Sequence, residues 1–133
     1  MGAARSLVRL VLGTPAALPP ELAARFPELR LARYRRGGLP PRVGGWLLDR
    51  STVAGVTLWN TIFLARRAPM SAELLLHELR HVQQFEASPA FPLRYVWETL
   101  RRGYSDNRYE LDARTWAVAR LRAAPGSPPA PDT

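Results

Sequence analysis

His77-Glu78-Leu79-Arg80-His81 is the stretch that decides how this chain is read: it holds both of the protein's histidines, four residues apart, with a glutamate after the first. Two histidines and seven glutamates scattered at random would give this H-E-x-x-H arrangement on the order of once in a thousand shuffles. On an α-helix, residues i and i+4 lie one above the other, so the two imidazoles can converge on one cation. Glu78, beside His77, can then reach a water held on that cation. The flanks supply the helix. Ser71, behind Pro69, is a suitable N-cap, Ala72 to Glu86 contains no Gly or Pro, and Leu75, Leu79 and Val82 form an apolar stripe to bury.

Neutral imidazole is a natural zinc ligand, and a catalytic zinc takes three protein ligands and keeps a fourth position for water. The chain has no further His and no Cys, so a third protein ligand must be a carboxylate. That excludes three-histidine sites and cysteine-bound structural zinc. Glu86, five residues past His81, is turned off the histidine face, which leaves Glu98, Asp106, Glu110 and Asp112 open. Glu110 also has a purely local reading, because Asn107 and Glu110 are spaced as a capping box at the start of a helix.

The totals, 133 residues with 47% hydrophobic and 23% charged, fit a single domain over residues 1–123. Residues 124–133, Ala-Pro-Gly-Ser-Pro-Pro-Ala-Pro-Asp-Thr, have almost nothing to bury and read as a disordered tail. Without cysteine there are no disulfides. Leu7 to Leu12 is apolar but short and broken by Arg9, too little for a membrane span and weak as a signal peptide, so it reads as a first strand or helix of a cytoplasmic protein. The net charge of +8 comes wholly from arginine, clustered at Arg33, Arg35 and Arg36, at Arg66 and Arg67, and at Arg101 and Arg102. No basic helix interleaved with aromatics accompanies these clusters, so they read as solvated surface and no nucleic-acid partner is expected.

Thr14 to Pro20 reads as a turn or linker, and Pro20 opens a short helix in which Leu22 and Phe26 share a face until Pro27 stops it. Leu29 to Arg35 reads as a strand, and Gly37 to Gly45, with its glycines and prolines, as a loop. Trp46 to Asp49 and Gly55 to Ala65 carry the strongest strand signals, the second folding as a hairpin about Trp59-Asn60. Two helices follow the motif helix, Phe91 to Arg102 with Gly103 as C-cap, and Arg108 to Leu121. The expectation is an α+β fold with a small twisted antiparallel or mixed sheet packed on the H-E-x-x-H helix. A strand just before that helix, at a sheet edge, could pair with an extended peptide.

The string from Leu74 to Arg114 carries His77-Glu78-Leu79-Arg80-His81-Val82-Gln83-Gln84, then Arg94-Tyr95, Gly103-Tyr104 and Asn107-Arg108-Tyr109-Glu110-Leu111-Asp112-Ala113-Arg114. It resembles the zincin metallopeptidases of the gluzincin type. More closely, it is similar to their minimal bacterial versions, which pair H-E-x-x-H-V-x-Q with a later glutamate in an N-x-x-E-x-x-A segment. The resemblance covers residues 46 to 120 and implies a zincin-like fold, a Zn2+ held by His77, His81 and Glu110, Glu78 as general base, and hydrolysis of a peptide or protein substrate. Larger gluzincins donate to the transition-state oxyanion from a C-terminal subdomain for which this chain is too short. Tyr104 and Tyr109 are the candidate stabilisers here. Two rivals give different roles to the same residues: a zinc-binding module without peptidase activity, and an arginine-rich nucleic-acid binder in which the histidines do nothing.

Overall fold

In the computed structural model, which describes residues 2–47 and 54–124, six α-helices pack around a mixed sheet of four short strands, an α+β architecture. In chain order the elements are α1 (Gly2–Leu12), β1 (Thr14–Pro15), α2 (Pro20–Arg25), a 3₁₀ turn (Pro27–Leu31), β2 (Arg33–Arg36), α3 (Leu39–Leu47), β3 (Gly55–Leu58), β4 (Thr61–Leu64), α4 (Ala72–Ala87), α5 (Phe91–Arg102) and α6 (Arg108–Ala123). The sheet order is β1-β2-β4-β3, with β2 parallel to β4 and the other pairs antiparallel. None of the described helices is long and apolar enough to cross a membrane.

The core forms where α4 lies on the sheet. Leu75, Leu76, Leu79 and Val82 are fully buried against Ile62 and Leu64 of β4 and against Phe26 and Leu29 of the α2 region. Each such side chain contributes roughly 2 kcal/mol when withdrawn from water. Ser71 accepts a hydrogen bond from the Leu74 amide at 3.2 Å, the expected N-cap. The predicted hairpin also forms, and Trp59 carries its turn at φ 54°, an uncommon left-handed conformation for a bulky residue. Trp59 lies with its ring 5.7 Å from that of Phe85 on α4.

Several readings of the sequence need correction. Gly37 to Gly45 is not a loop throughout: Gly37 and Gly38 turn the chain and α3 begins at Leu39. Prolines are tolerated in the first turn of a helix, where the missing amide is unsatisfied in any case, so Pro40 and Pro41 open α3 rather than prevent it. Consequently Trp46 and Leu47 belong to that helix, and the rest of the strand expected over Trp46 to Asp49 lies outside the described residues. Finally, Leu29 to Leu31 forms the 3₁₀ turn, so the strand expected from Leu29 begins only at Arg33. The stretch taken as a linker, Thr14 to Pro20, contributes the two-residue β1 and the first residue of α2, and Leu7 to Leu12 is helical. The proline-rich tail beyond Ala124 also lies outside the described residues.

The end of α1 and the start of α3 meet closely. Gly13 and Gly38 have φ of 67° and 85°, and a Cβ on Gly13 would lie 2.2 Å from the Arg36 carbonyl oxygen, so glycine is required there on both counts. Two of the basic residues read as solvated surface instead secure this region. Arg35 donates to the carbonyls of Leu12 at 2.7 Å and Gly13 at 3.0 Å, and Arg36 to those of Ala65 at 3.1 Å and Ala68 at 2.7 Å.

The corner between α5 and α6 is locked by one side chain. Asn107 is completely buried and caps α6 by accepting from the Tyr109 amide at 2.9 Å. Its own amide nitrogen donates to the Tyr95 carbonyl at 3.1 Å and to Thr99 Oγ1 at 2.9 Å on α5. Replacing Asn107 by Ala removes the cap and both cross-helix bonds, and should cost about 2–4 kcal/mol. Urea unfolding checks this, and a loss under about 0.5 kcal/mol would show that the corner is held by other contacts.

Candidate metal centre

The site begins with register. On α6, Glu110, Ala113 and Ala117 are buried at spacings of three and four, so the carboxylate shares the face that packs on α4. The two alanines let the helix backbones approach, which brings a short glutamate side chain within reach of the opposite helix. On α4, His77 and His81 lie one turn apart and meet edge to face, with ring centroids 5.0 Å apart. The Glu110 carboxylate lies between them, Oε2 2.8 Å from His77 Nε2 and Oε1 3.1 Å from His81 Nε2.

Of the four carboxylates left open by the sequence, Glu110 is thus the one joined to both histidines. Glu98 is buried but turns to Arg102 at 3.7 Å and Arg108 at 3.9 Å. Asp112 binds Arg80 at 2.7 Å, and Asp106 is exposed. Nor does Glu110 fold back as a capping-box partner, because its oxygens are taken up across the helix interface.

Around the triad, hydrogen bonds fix the orientation of the groups. Gln84 directs its amide nitrogen at two acceptors, the Tyr109 carbonyl at 3.1 Å and Asp112 Oδ2 at 2.9 Å. That leaves its oxygen facing His81 Nδ1 at 2.7 Å. A carboxamide oxygen only accepts, so Nδ1 carries the proton and Nε2 is the atom left to bind a cation. Arg80 completes the chain by donating to Asp112 Oδ2. Tyr95 donates its hydroxyl to Glu110 Oε1 at 2.6 Å.

Electrostatics follow from this packing. Burial raises the Glu110 carboxyl, but the hydrogen bonds from His77, His81 and Tyr95 outweigh it and hold the group well below the usual carboxylate range. Burial lowers His81, but Glu110, the nearby charge of Glu78 and Gln84 together lift it to about 9. Burial, with the negative charge of Glu110, pushes the Tyr95 hydroxyl up so that it remains a donor.

Glu78 stands apart from the triad. It is buried, and Thr57 Oγ1 of β3 donates to its Oε2 at 2.7 Å. Gly55 gives it room: a Cβ there would lie 3.2 Å from the Glu78 carboxyl carbon and Oε1. Glu78, His81, Glu110 and Tyr95 line a cleft of about 380 Å³. Strand β3 lines it too, as do Phe85, Phe91, Val96 and Leu100. Tyr104 also lines this cleft. Tyr109 does not: its ring meets Phe91 at 5.0 Å and its hydroxyl accepts from Arg108 at 2.8 Å.

His77, His81 and Glu110 offer ligand atoms all within 4.8 Å of one another, so the group could hold a metal ion. Two imidazole nitrogens and one carboxylate oxygen, with one imidazole tautomer already fixed, suit a borderline cation such as zinc. Sequence reasoning missed Thr57 and Gly55 as parts of the site, and it quoted Tyr95 and Gln84 without a role. Gln84 had a signal, since it lies one turn beyond His81, whereas nothing in the spacing of Tyr95 points to Glu110. No protein-family model, curated protein or solved structure matches this chain.

With its pKa lifted to about 9, the His81 imidazole favours the charged form at neutral pH, and a cation taking Nε2 would displace that proton. The sign is therefore fixed: metal affinity should rise with pH up to about 9 and weaken as pH falls. Calorimetric titration at pH 7 in buffers of different ionisation enthalpy should show about one proton released per metal bound. Release of none would contradict the charged form of His81.

Proposed function

We propose that this chain is a small zinc-dependent peptidase of the gluzincin type, in which His77, His81 and Glu110 hold Zn2+ and Glu78 is the general base. The observation that carries the reading is the separation of the two kinds of carboxylate. Glu110 is tied to both imidazoles, whereas Glu78, in the same cleft, is tied to the sheet through Thr57. A site that only stored a metal would have no use for a second buried carboxylate held beside the ligands and out of their shell.

When bound, the zinc would lower the pKa of a coordinated water toward 7 and polarise a substrate carbonyl. The chain's own residues do the rest. Thr57 occupies Glu78 Oε2, so Oε1 is the atom free to take the proton of the attacking water and return it to the leaving amine. Gln84 keeps His81 in the ligand tautomer. Tyr104, in the cleft wall, is the candidate donor to the developing oxyanion, a role for which Tyr109 is turned away.

Strand β3 suggests how a peptide would lie. It is the outer strand of the sheet, and the Ala65 amide bonds the Ala54 carbonyl. Hydrogen-bonded pairs alternate along an antiparallel ladder, so the register pairs Val56 with Phe63 and directs the backbone groups of Gly55 and Thr57 away from β4. Those groups can pair with an extended peptide along the cleft.

Replacing Glu78 by Gln should retain the metal while lowering cleavage of a peptide library on the order of a hundredfold to ten-thousandfold, since the positioned base is lost. His81→Ala, which removes a ligand, should lose the metal as well. Equal cleavage by the wild type and Glu78→Gln would remove the catalytic reading. A wild type that keeps zinc and binds peptides without cleaving them would favour a zinc-dependent binding module.

A further inference from the structure

Beside its cleft the molecule leaves an apolar face uncovered. Along α5, Leu93, Val96, Trp97 and Leu100 recur at spacings of three and four, the pattern of a stripe meant for burial. They are nevertheless 77%, 56%, 60% and 77% exposed. The packing of α5 is done by other residues, with Phe91 and Glu98 buried and Tyr95 bonded to Glu110. The apolar surface continues around the cleft mouth. Val96 and Leu100 line the cleft together with Leu58, and Trp59, exposed at the hairpin tip, meets Phe85, whose ring lies 4.6 Å from Phe91 at the head of α5.

Charge indicates what covers this face. Arg94 and Arg101 are exposed on α5, whereas its single acid, Glu98, is buried against Arg102 and Arg108. A second copy is a poor occupant. A two-fold contact through the stripe would set the arginines of one molecule against those of the other, in a chain of net charge +8. Leucine and tryptophan on one helix face, flanked by arginine and free of exposed acid, instead match an anionic lipid surface. There the apolar side chains enter the acyl boundary, Trp stands at head-group depth and Arg reaches the phosphates. Independently, α1 repeats this chemistry: it has no acid, carries Arg5 and Arg9, buries none of its residues and exposes Leu7, Val8 and Leu10.

We propose that the outer face of α5 and the tip of the β3–β4 hairpin form a docking surface for an anionic lipid bilayer, so that the cleft opens at the membrane surface. The binding does not depend on the hydrolytic reading, and its test needs no turnover. The full-length chain is floated with vesicles of phosphatidylcholine alone, or of phosphatidylcholine and phosphatidylglycerol in equal parts. The wild type should float with the anionic vesicles and not with the neutral ones. Trp97→Gln with Leu100→Gln keeps the net charge and the helix propensity, and should lower partitioning roughly tenfold or more by removing the inserted apolar groups. Arg94→Gln with Arg101→Gln should weaken binding through the lost phosphate contacts and make its salt dependence shallower. Absence of flotation with anionic vesicles would overturn the proposal. Unchanged partitioning of the Trp97 and Leu100 variant would also overturn it, by assigning binding to net charge alone. A wild-type dimer on sedimentation that this variant dissolves would overturn it as well, by making the stripe a contact between copies.

Discussion

The Glu110 carboxylate between the two imidazoles is the interaction on which this molecule turns. A buried carboxylate is costly unless its charge is met and its lone pairs are satisfied. Here His77, His81 and Tyr95 supply three donors, and the same contacts clamp α6 onto α4 and α5. The arrangement is possible because Ala113 and Ala117 keep the two helices close, so the site and the packing of the last helix have one cause. The two imidazoles and the Tyr95 hydroxyl meet the carboxylate from both sides.

Two separate supports hold the reactive groups. His77, His81 and Glu110 are anchored between helices, with Gln84, Asp112 and Arg80 forming a hydrogen-bonded chain behind His81 and Asn107 fixing the corner that delivers Glu110. Glu78 is anchored to the sheet, where Thr57 holds one oxygen and the bare Gly55 leaves space for the other. Groups mounted on regular elements and locked by such contacts keep their mutual geometry better than groups on loops. The division also means that mutation can disturb the histidine–glutamate triad and Glu78 independently.

Much of this was legible in the sequence where local and tertiary preferences agree. The Ser71 cap, the Leu75, Leu79 and Val82 stripe and the two histidines one turn apart all specify α4 as a helix, and the hairpin is written in its Val, Thr, Ile and Phe residues. Glu110 was less so. Its spacing from Asn107 fits a cap equally well, and only the likeness to gluzincins selected it, because the alanine face that turns it toward α4 shows its meaning only once the two helices are packed. Composition misled at α3, where prolines suited to a first helical turn were read as loop. It misled again at Arg35 and Arg36, whose hydrogen bonds to distant carbonyls leave no local trace. Tyr95 and Thr57 meet their partners through tertiary contact alone, so no spacing rule could have assigned them.

The most direct test of the central claim is zinc K-edge X-ray absorption on the zinc-loaded full chain. The account predicts about four nitrogen and oxygen neighbours at roughly 2.0–2.1 Å, including two imidazoles, with the metal lost in Glu110→Ala. A sphere of oxygen donors without imidazole scattering, or an unchanged spectrum in Glu110→Ala, would contradict it.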